Sequence, residues 1–328
     1  MFDIFSIKAF FGYPFFLRIV LPGTIWAGAM YPMATWLTTY LFEGRVNIAL
    51  VVGILLAVGF VLVWVVDLLR SQVYLVYEGR SFWIPWAKRK LQAKLERKVE
   101  RGYKSAEKEQ DRQSSFYKET WAWLRMFPIG LDCKPSVKRP TLLGNVMAAY
   151  EYYPLSRYGM DSIFYWYRLW FKLPESIRKE YSLVSAEAQW LIYTSVALCI
   201  SAVLYFVYLV LTLLARCFAL PFLSVAGFDS ALVWPTGLLV LLSLAFSYLA
   251  YRFSISAHRR VGEYFKSIFD DFRGELKVPS APEAANEKRK FQDAWAYLQY
   301  GLTRCPECNK YFAVAEDKCP YCSGRSSQ

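Results

Sequence analysis

The sequence predicts an all-α polytopic membrane protein: four transmembrane helices as two hairpins, a helical cytoplasmic region and a small cysteine-rich C-terminal module. Three observations carry this reading. Asn47–Leu69, NIALVVGILLAVGFVLVWVVDLL, runs about 20 residues without a charge until Asp67, the length a helix needs to cross a bilayer's hydrocarbon core. Hydrophobic residues make up 55% of the chain and aromatics 18%, with a mean hydropathy of +0.20, all high for a soluble protein of 328 residues. Four of the seven cysteines fall in two closely spaced pairs near the C-terminus.

Residues 1–12, MFDIFSIKAFFG, set Phe2, Phe5 and Phe10 among few charges, which suits a short interfacial helix and an uncleaved anchor rather than a signal peptide. The first hairpin occupies 13–69. Its first span, Tyr13 to about Leu41, holds Pro22 and Pro32, where kinks are expected. A five-residue link then leads into the second span, so the two run antiparallel. Gly53 and Ala57, four apart, offer a neighbouring helix a close approach. The second hairpin, 189–252, pairs a span over about Gln189–Leu214 with one over about Leu232–Tyr251.

The net charge of +12 is uneven: between 70 and 185, lysines and arginines outnumber acids by about ten. The links within the hairpins carry only Arg45 and Arg216, so the positive-inside rule places both termini and the 70–188 region in the cytoplasm, with the spans in the inner membrane. Such a surface attracts anionic lipid headgroups and, after them, nucleic acid. Within it, Trp86 to about Arg112 reads as a basic helix with Leu91, Leu95, Val99 and Tyr103 on one stripe. An arm for lipid or nucleic acid is one reading; a solvated helix packing a narrow stripe on its neighbours is the preferred one.

The segment Pro140–Pro174 is the most individual. Thr141 can cap a helix that Pro154 stops near Tyr153, a turn follows at Ser156–Gly159, and Asp161 can cap a second helix from Ser162 to about Lys172. That helix carries Phe164, Tyr165, Trp166, Tyr167, Trp170 and Phe171, so it requires burial or an interface. Glu151, Arg157, Asp161 and Arg168 are the polar groups in this aromatic patch: a lipid-headgroup or ligand site on one reading, partners of one another or of helix ends on the other. Residues 253–301 contain a helix from Ser254 to Arg273 with Val261, Tyr264, Phe265, Ile268, Phe269 and Phe272 on one face. A linker over Gly274–Asn286 and a short helix ending at Gly301 complete that region. His258, the only histidine, has no companion ligand nearby in sequence.

Residues 302–328 carry the strongest motif. Cys305-Pro-Glu-Cys308 and Cys319-Pro-Tyr-Cys322 are two CPxC knuckles separated by ten residues. Each knuckle aims two thiolates at one ion, and four thiolates complete a tetrahedron that favours zinc, with iron second. All four positions are filled by protein, so the site is expected to be structural. Residues 305–322 resemble the double-knuckle zinc ribbons at the ends of many bacterial proteins, which implies a compact contact module. LLGN at 142–145, RYGMD at 157–161, Arg168-Leu169-Trp170 and SIFDDFR at 267–273 resemble a group of uncharacterised bacterial multi-span membrane proteins; that resemblance supports the architecture and supplies no activity.

No HExxH, GxSxG or phosphate-cradling glycine loop is present. The preferred reading is a non-enzymatic membrane scaffold, sensor or effector acting through cytoplasmic protein contacts. The alternatives are a homo-oligomeric pore lined by Thr24, Thr35, Thr38 and Thr39, and a membrane enzyme acting on lipid, whose only foothold is Glu151, Arg157 and Asp161. Expected partners are membrane lipids, a cytoplasmic protein, a second copy of the chain and, after these, nucleic acid.

Overall fold

A computed structural model describes residues 13–41, 47–109, 114–129, 134–218 and 233–276 and, from the C-terminal stretch, 293, 302–305, 308, 310–313 and 322. The expected N-terminal interfacial helix, residues 219–232 of the link before the fourth span and all of the short helix ending at Gly301 except Asp293 lie outside the described residues. The described residues are mostly helical. In chain order they form α1 (Tyr13–Phe15), a π-helical turn (Phe16–Val20), α2 (Leu21–Leu41), α3 (Ile48–Leu68), α4 (Arg70–Tyr77) and α5 (Pro85–Lys108). There follow α6 (Ser115–Leu124), α7 (Leu142–Glu151), α8 (Tyr153–Tyr158), α9 (Ser162–Trp170), α10 (Glu175–Phe218) and α11 (Val233–Phe272). A two-stranded antiparallel ladder closes the list, β1 (Leu302–Arg304) on β2 (Tyr311–Ala313).

Three helices are long and apolar enough to cross a membrane: Ile48–Leu68, Glu175–Leu214 and Val233–Glu275. Their apolar windows are only 17%, 39% and 28% buried by the rest of the chain, so most of that surface faces outward, where an apolar solvent suits it. Helix α2, expected as part of the first span, has 21 residues but is not among the three, because Thr24, Tyr31, Pro32, Thr35 and Trp36 dilute its hydropathy. Pro22 has its effect upstream: the Leu21 N–H bonds Phe16 O in a π turn, a widening that relieves the clash between a proline ring and the preceding turn. Pro32 sits inside α2.

The described residues divide into two compact units, one within Met1–Val76 and Glu180–Val261, the other within Tyr77–Lys179 and Gly262–Gln328. In unit 1, α2 and α3 pack as a helical hairpin around Trp26, Ala27 and Met30, joined by Ala197 and Tyr205 of α10. The close approach lies at Gly23 and Gly59, not at Gly53 and Ala57. A Cβ on Gly59 would stand 2.5 Å from Gly23 O, whereas one on Gly53 meets nothing within 4 Å. Buried hydroxyls cross-link the helices: Ser195 donates to Ser247 O at 2.9 Å and Ser247 to Ser195 O at 2.8 Å. Tyr205 donates to Ala29 O at 2.6 Å and Tyr193 to the Asp67 carboxylate at 2.6 Å.

In unit 2, α5 lays its stripe on α6: Val99, Ala106, Leu124 and Phe127 form a core flanked by Tyr103, Trp121 and Trp123. Of the stripe expected from the sequence, Val99 and Tyr103 pack in this cluster, while Leu91 and Leu95 are half-buried. Thr141 caps α7 by accepting the Gly144 N–H, and Asp161 caps α9 by accepting the Phe164 N–H. Pro154 does not release the chain into a turn. It occupies the first turn of α8, where a missing N–H is harmless, and α8 runs on to Tyr158. The aromatic helix α9 buries Tyr165 and Leu169, and stacks Trp166 against Phe265 and Phe269 of α11.

Candidate functional site

The hairpin β1–β2 positions the C-terminal cysteines. The Cys305 N–H donates to Lys310 O at 2.9 Å, turning the chain sharply between the first knuckle and β2. Cys305 is buried, and the sulfurs of Cys305, Cys308 and Cys322 all lie within 4.8 Å of one another. The Cys305 and Cys322 sulfurs are 3.5 Å apart, far beyond the roughly 2.05 Å of a disulfide. A tetrahedral ion with bonds of about 2.3 Å to sulfur holds its ligands roughly 3.8 Å from one another, so this spacing fits a shared metal. Three close thiols from both knuckles can therefore hold an ion. Cys319, the fourth expected ligand, lies outside the described residues. Beside the hairpin, the Arg304 guanidinium meets the Asp293 carboxylate at 2.8 Å.

A second constellation was not anticipated from the sequence. Where α4 ends, Glu78, Gly79 and Arg80 form a tight loop against the residues that lead into α7. Glu78 is 5% exposed and meets Arg80 Nε at 2.6 Å and Arg139 Nη1 at 3.9 Å. Glu151, at the end of α7, takes the other side of the same two guanidiniums, Arg80 at 3.4 Å and Arg139 at 3.6 Å. Burial raises the Glu78 carboxyl to about 7 although Arg80 opposes it, and neighbouring Glu151 adds to the rise; burial raises Glu151 as well.

The backbone around this network is held as firmly as the charges. Asn145, fully buried, accepts the N–H groups of Lys138 and Arg139 on Oδ1 and donates Nδ2 to the carbonyls of Arg139 and Thr141. Thr141 donates its hydroxyl to Tyr77 O at 2.8 Å. Gly144 permits the contact: a Cβ there would stand 2.5 Å from Glu78 O and 2.8 Å from Arg139 Cβ. Gly79 adopts φ 79° directly against Pro140, a left-handed backbone that favours glycine. The LLGN stretch is thus a clamp, Gly for approach and Asn for four backbone bonds.

The polar residues expected in the aromatic patch divide among separate tasks. Glu151 belongs to the network just described. Asp161 caps α9. Arg168 stacks 3.6 Å over the Phe164 ring and donates to Phe164 O at 2.8 Å. Arg157 is exposed. No ion pair joins these four to one another among the described residues. The polar centre of the patch is instead Asp270 on α11, which accepts the Tyr153 hydroxyl at 2.8 Å and the Tyr158 hydroxyl at 2.5 Å. Burial, with the Asp270 carboxylate bonded to it, pushes the Tyr153 hydroxyl up. In unit 1, His258 Nδ1 lies 2.8 Å from Ser254 O, which can only accept, so Nδ1 carries the proton and Nε2 receives the Tyr74 hydroxyl at 3.0 Å. Both ring nitrogens are engaged within the fold.

Sequence reasoning found the cysteines because their spacing is local. Asn145 had a readable signal, a lone amide inside the apolar run LLGNVMAAY. Glu78 and Arg80 had none, since a charged turn after an apolar helix reads as solvated surface. No protein-family model matches the chain, and neither the curated proteins nor the solved structures contain a match.

Proposed function

We propose that the protein is a non-enzymatic membrane scaffold, sensor or effector whose C-terminal hairpin is a structural zinc module for docking a cytoplasmic protein. One observation supports this: three thiols drawn from both CPxC knuckles, Cys305, Cys308 and Cys322, converge within 4.8 Å of one another, close enough to share an ion. Cys319 is the fourth ligand in this reading, and a set of four thiolates favours zinc over iron. In this reading the chain crosses the inner membrane four times, the first time through the π turn and α2, and the excess of lysine and arginine over 70–188 supports a cytoplasmic side for that region and both termini. The described acids support a scaffold over a lipid enzyme: Glu78 and Glu151 face Arg80 and Arg139, Asp270 faces two tyrosines, and Asp161 caps a helix. Thr24, Thr35 and Thr38 donate their hydroxyls to carbonyls of their own helix, which disfavours them as a pore lining.

The test is purification in mild detergent of wild type beside Cys305→Ser/Cys319→Ser, with metal analysis and identification of co-eluting proteins. The reading expects about one zinc per chain, low occupancy in the variant, and a partner lost with it. A metal-free wild type that keeps its partner overturns it.

A further inference from the structure

One strongly charged surface serves neither the metal centre nor the ion-pair network. Helix α5 carries nine lysines and arginines against three acids over a length of about 36 Å. Its apolar stripe is taken up by packing, with Val99 4% and Ala106 2% exposed, so the face left to solvent is the cationic one. Between α5 and α6 opens a groove of about 560 Å³, with Lys98 and Arg101 on one wall and Phe116 and Trp123 on the other. The Lys98 ammonium stands 5.0 Å from the centre of the Trp123 ring, and Phe116 is 52% exposed. Arg101 is exposed and donates Nε to Arg97 O, a bond that does not use its terminal nitrogens. Neither Lys98 nor Arg101 forms an ion pair among the described residues, and Glu119 is the one acid among the described residues of the lining.

We propose that this groove binds single-stranded nucleic acid. An amphipathic helix that enters a bilayer does so with its apolar face, and beside this groove that face, at Val99, Tyr103 and Ala106, is packed against α6. An acidic protein would answer the cations but make no use of an exposed ring set between them. A single strand answers both: its phosphates meet Lys98 and Arg101, and an unstacked base lies flat on Phe116. A duplex keeps its bases stacked inside, out of reach of the ring.

The experiment uses the full chain in nanodiscs of phosphatidylcholine, with a fluorescein-labelled mixed-sequence single-stranded DNA followed by anisotropy across a salt series. The strand binds, and binds more tightly than its duplex. Phe116→Ala weakens binding about tenfold or more, and Phe116→Trp restores it. Lys98→Ala/Arg101→Ala lowers the slope of log affinity against log salt by about 1.4, two phosphates at roughly 0.7 each. All three positions line a solvent-filled groove, and circular dichroism checks that the variants keep their helices. Three results overturn the proposal: no binding at low salt; heparin binding as tightly as the strand with Phe116→Ala silent, which marks a plain electrostatic surface; or anion binding seen only as adhesion to nanodiscs containing phosphatidylglycerol, which marks a lipid surface.

Discussion

Unit 1 buries hydroxyls and a few tyrosines whose hydrogen bonds cross between helices, as Ser195 with Ser247 and Tyr205 with Ala29 O, while many of its large apolar side chains, such as Leu50, Ile54, Phe206 and Leu241, face outward. Unit 2 buries a carboxylate, Glu78, and an amide, Asn145, with the half-buried Arg139 and the more exposed Arg80 set against the carboxylate. The contrast teaches how the surroundings decide the interior. Helices whose outside suits lipid gain little from apolar burial against one another, so close packing at Gly23 and Gly59 and interhelical hydrogen bonds hold them. Unit 2 keeps large apolar side chains such as Leu124, Phe127 and Leu143 inside, gains from their burial, and can hold a buried charge such as Glu78 provided it is paired.

The largest expected effect falls on the polar clamp of unit 2. Asn145→Ala removes four hydrogen bonds and strands the Lys138 and Arg139 N–H groups in a buried site. A cost of about 4 kcal/mol is expected, since each stranded group costs roughly 1–3 kcal/mol. Urea unfolding followed by tryptophan fluorescence measures it, and proteolysis should reach residues 134–141 first. A variant as stable as wild type would show that the clamp is not what holds this loop.

The next effect concerns pH. Glu78 ionises near 7 in the folded chain and near 4.5 when unfolded, so the folded state binds the extra proton between those values. Its contribution is full below pH 4.5 and is lost as pH rises through 7, a loss of up to roughly 3 kcal/mol at about 1.36 kcal/mol per pKa unit. Glu78→Gln should therefore lose less stability than wild type between pH 4.5 and pH 8. Parallel curves for the two proteins would mean that Arg80 and Arg139 outweigh burial, and the contrast between the units would lose its electrostatic half.

The smallest effect tests the other side of the comparison. Gly59→Leu drives a side chain into Gly23 O and should cost about 2 kcal/mol, the range of overpacking in a tight core. Gly53→Leu, with open space around it, should change stability by less than about 0.5 kcal/mol. Thermal unfolding in detergent separates the two; equal effects would place the helix crossing elsewhere.

Periodicity and punctuation made much of the fold legible. The apolar runs marked the three helices that can cross a membrane, Thr141 and Asp161 marked helix starts, and the face of Val261, Phe265, Ile268 and Phe269 proved to be buried. The CPxC pairs marked the convergence of Cys305, Cys308 and Cys322. Pro154 misled because a proline that cannot continue one helix can still begin the next.

The sequence by itself determined what depends on neighbours along the chain: helix length, caps, apolar faces and the spacing of the knuckle cysteines. Only the tertiary structure decided which distant groups meet. Glu78 and Arg80 join Arg139 and Glu151 from more than fifty residues away, and Tyr153 and Tyr158 reach Asp270 across more than a hundred. A charge on a sequence has no partner written beside it. Burial and pairing are properties of the packed chain: burial raises the Glu78 carboxyl to about 7, and the neighbouring Arg80 opposes the rise.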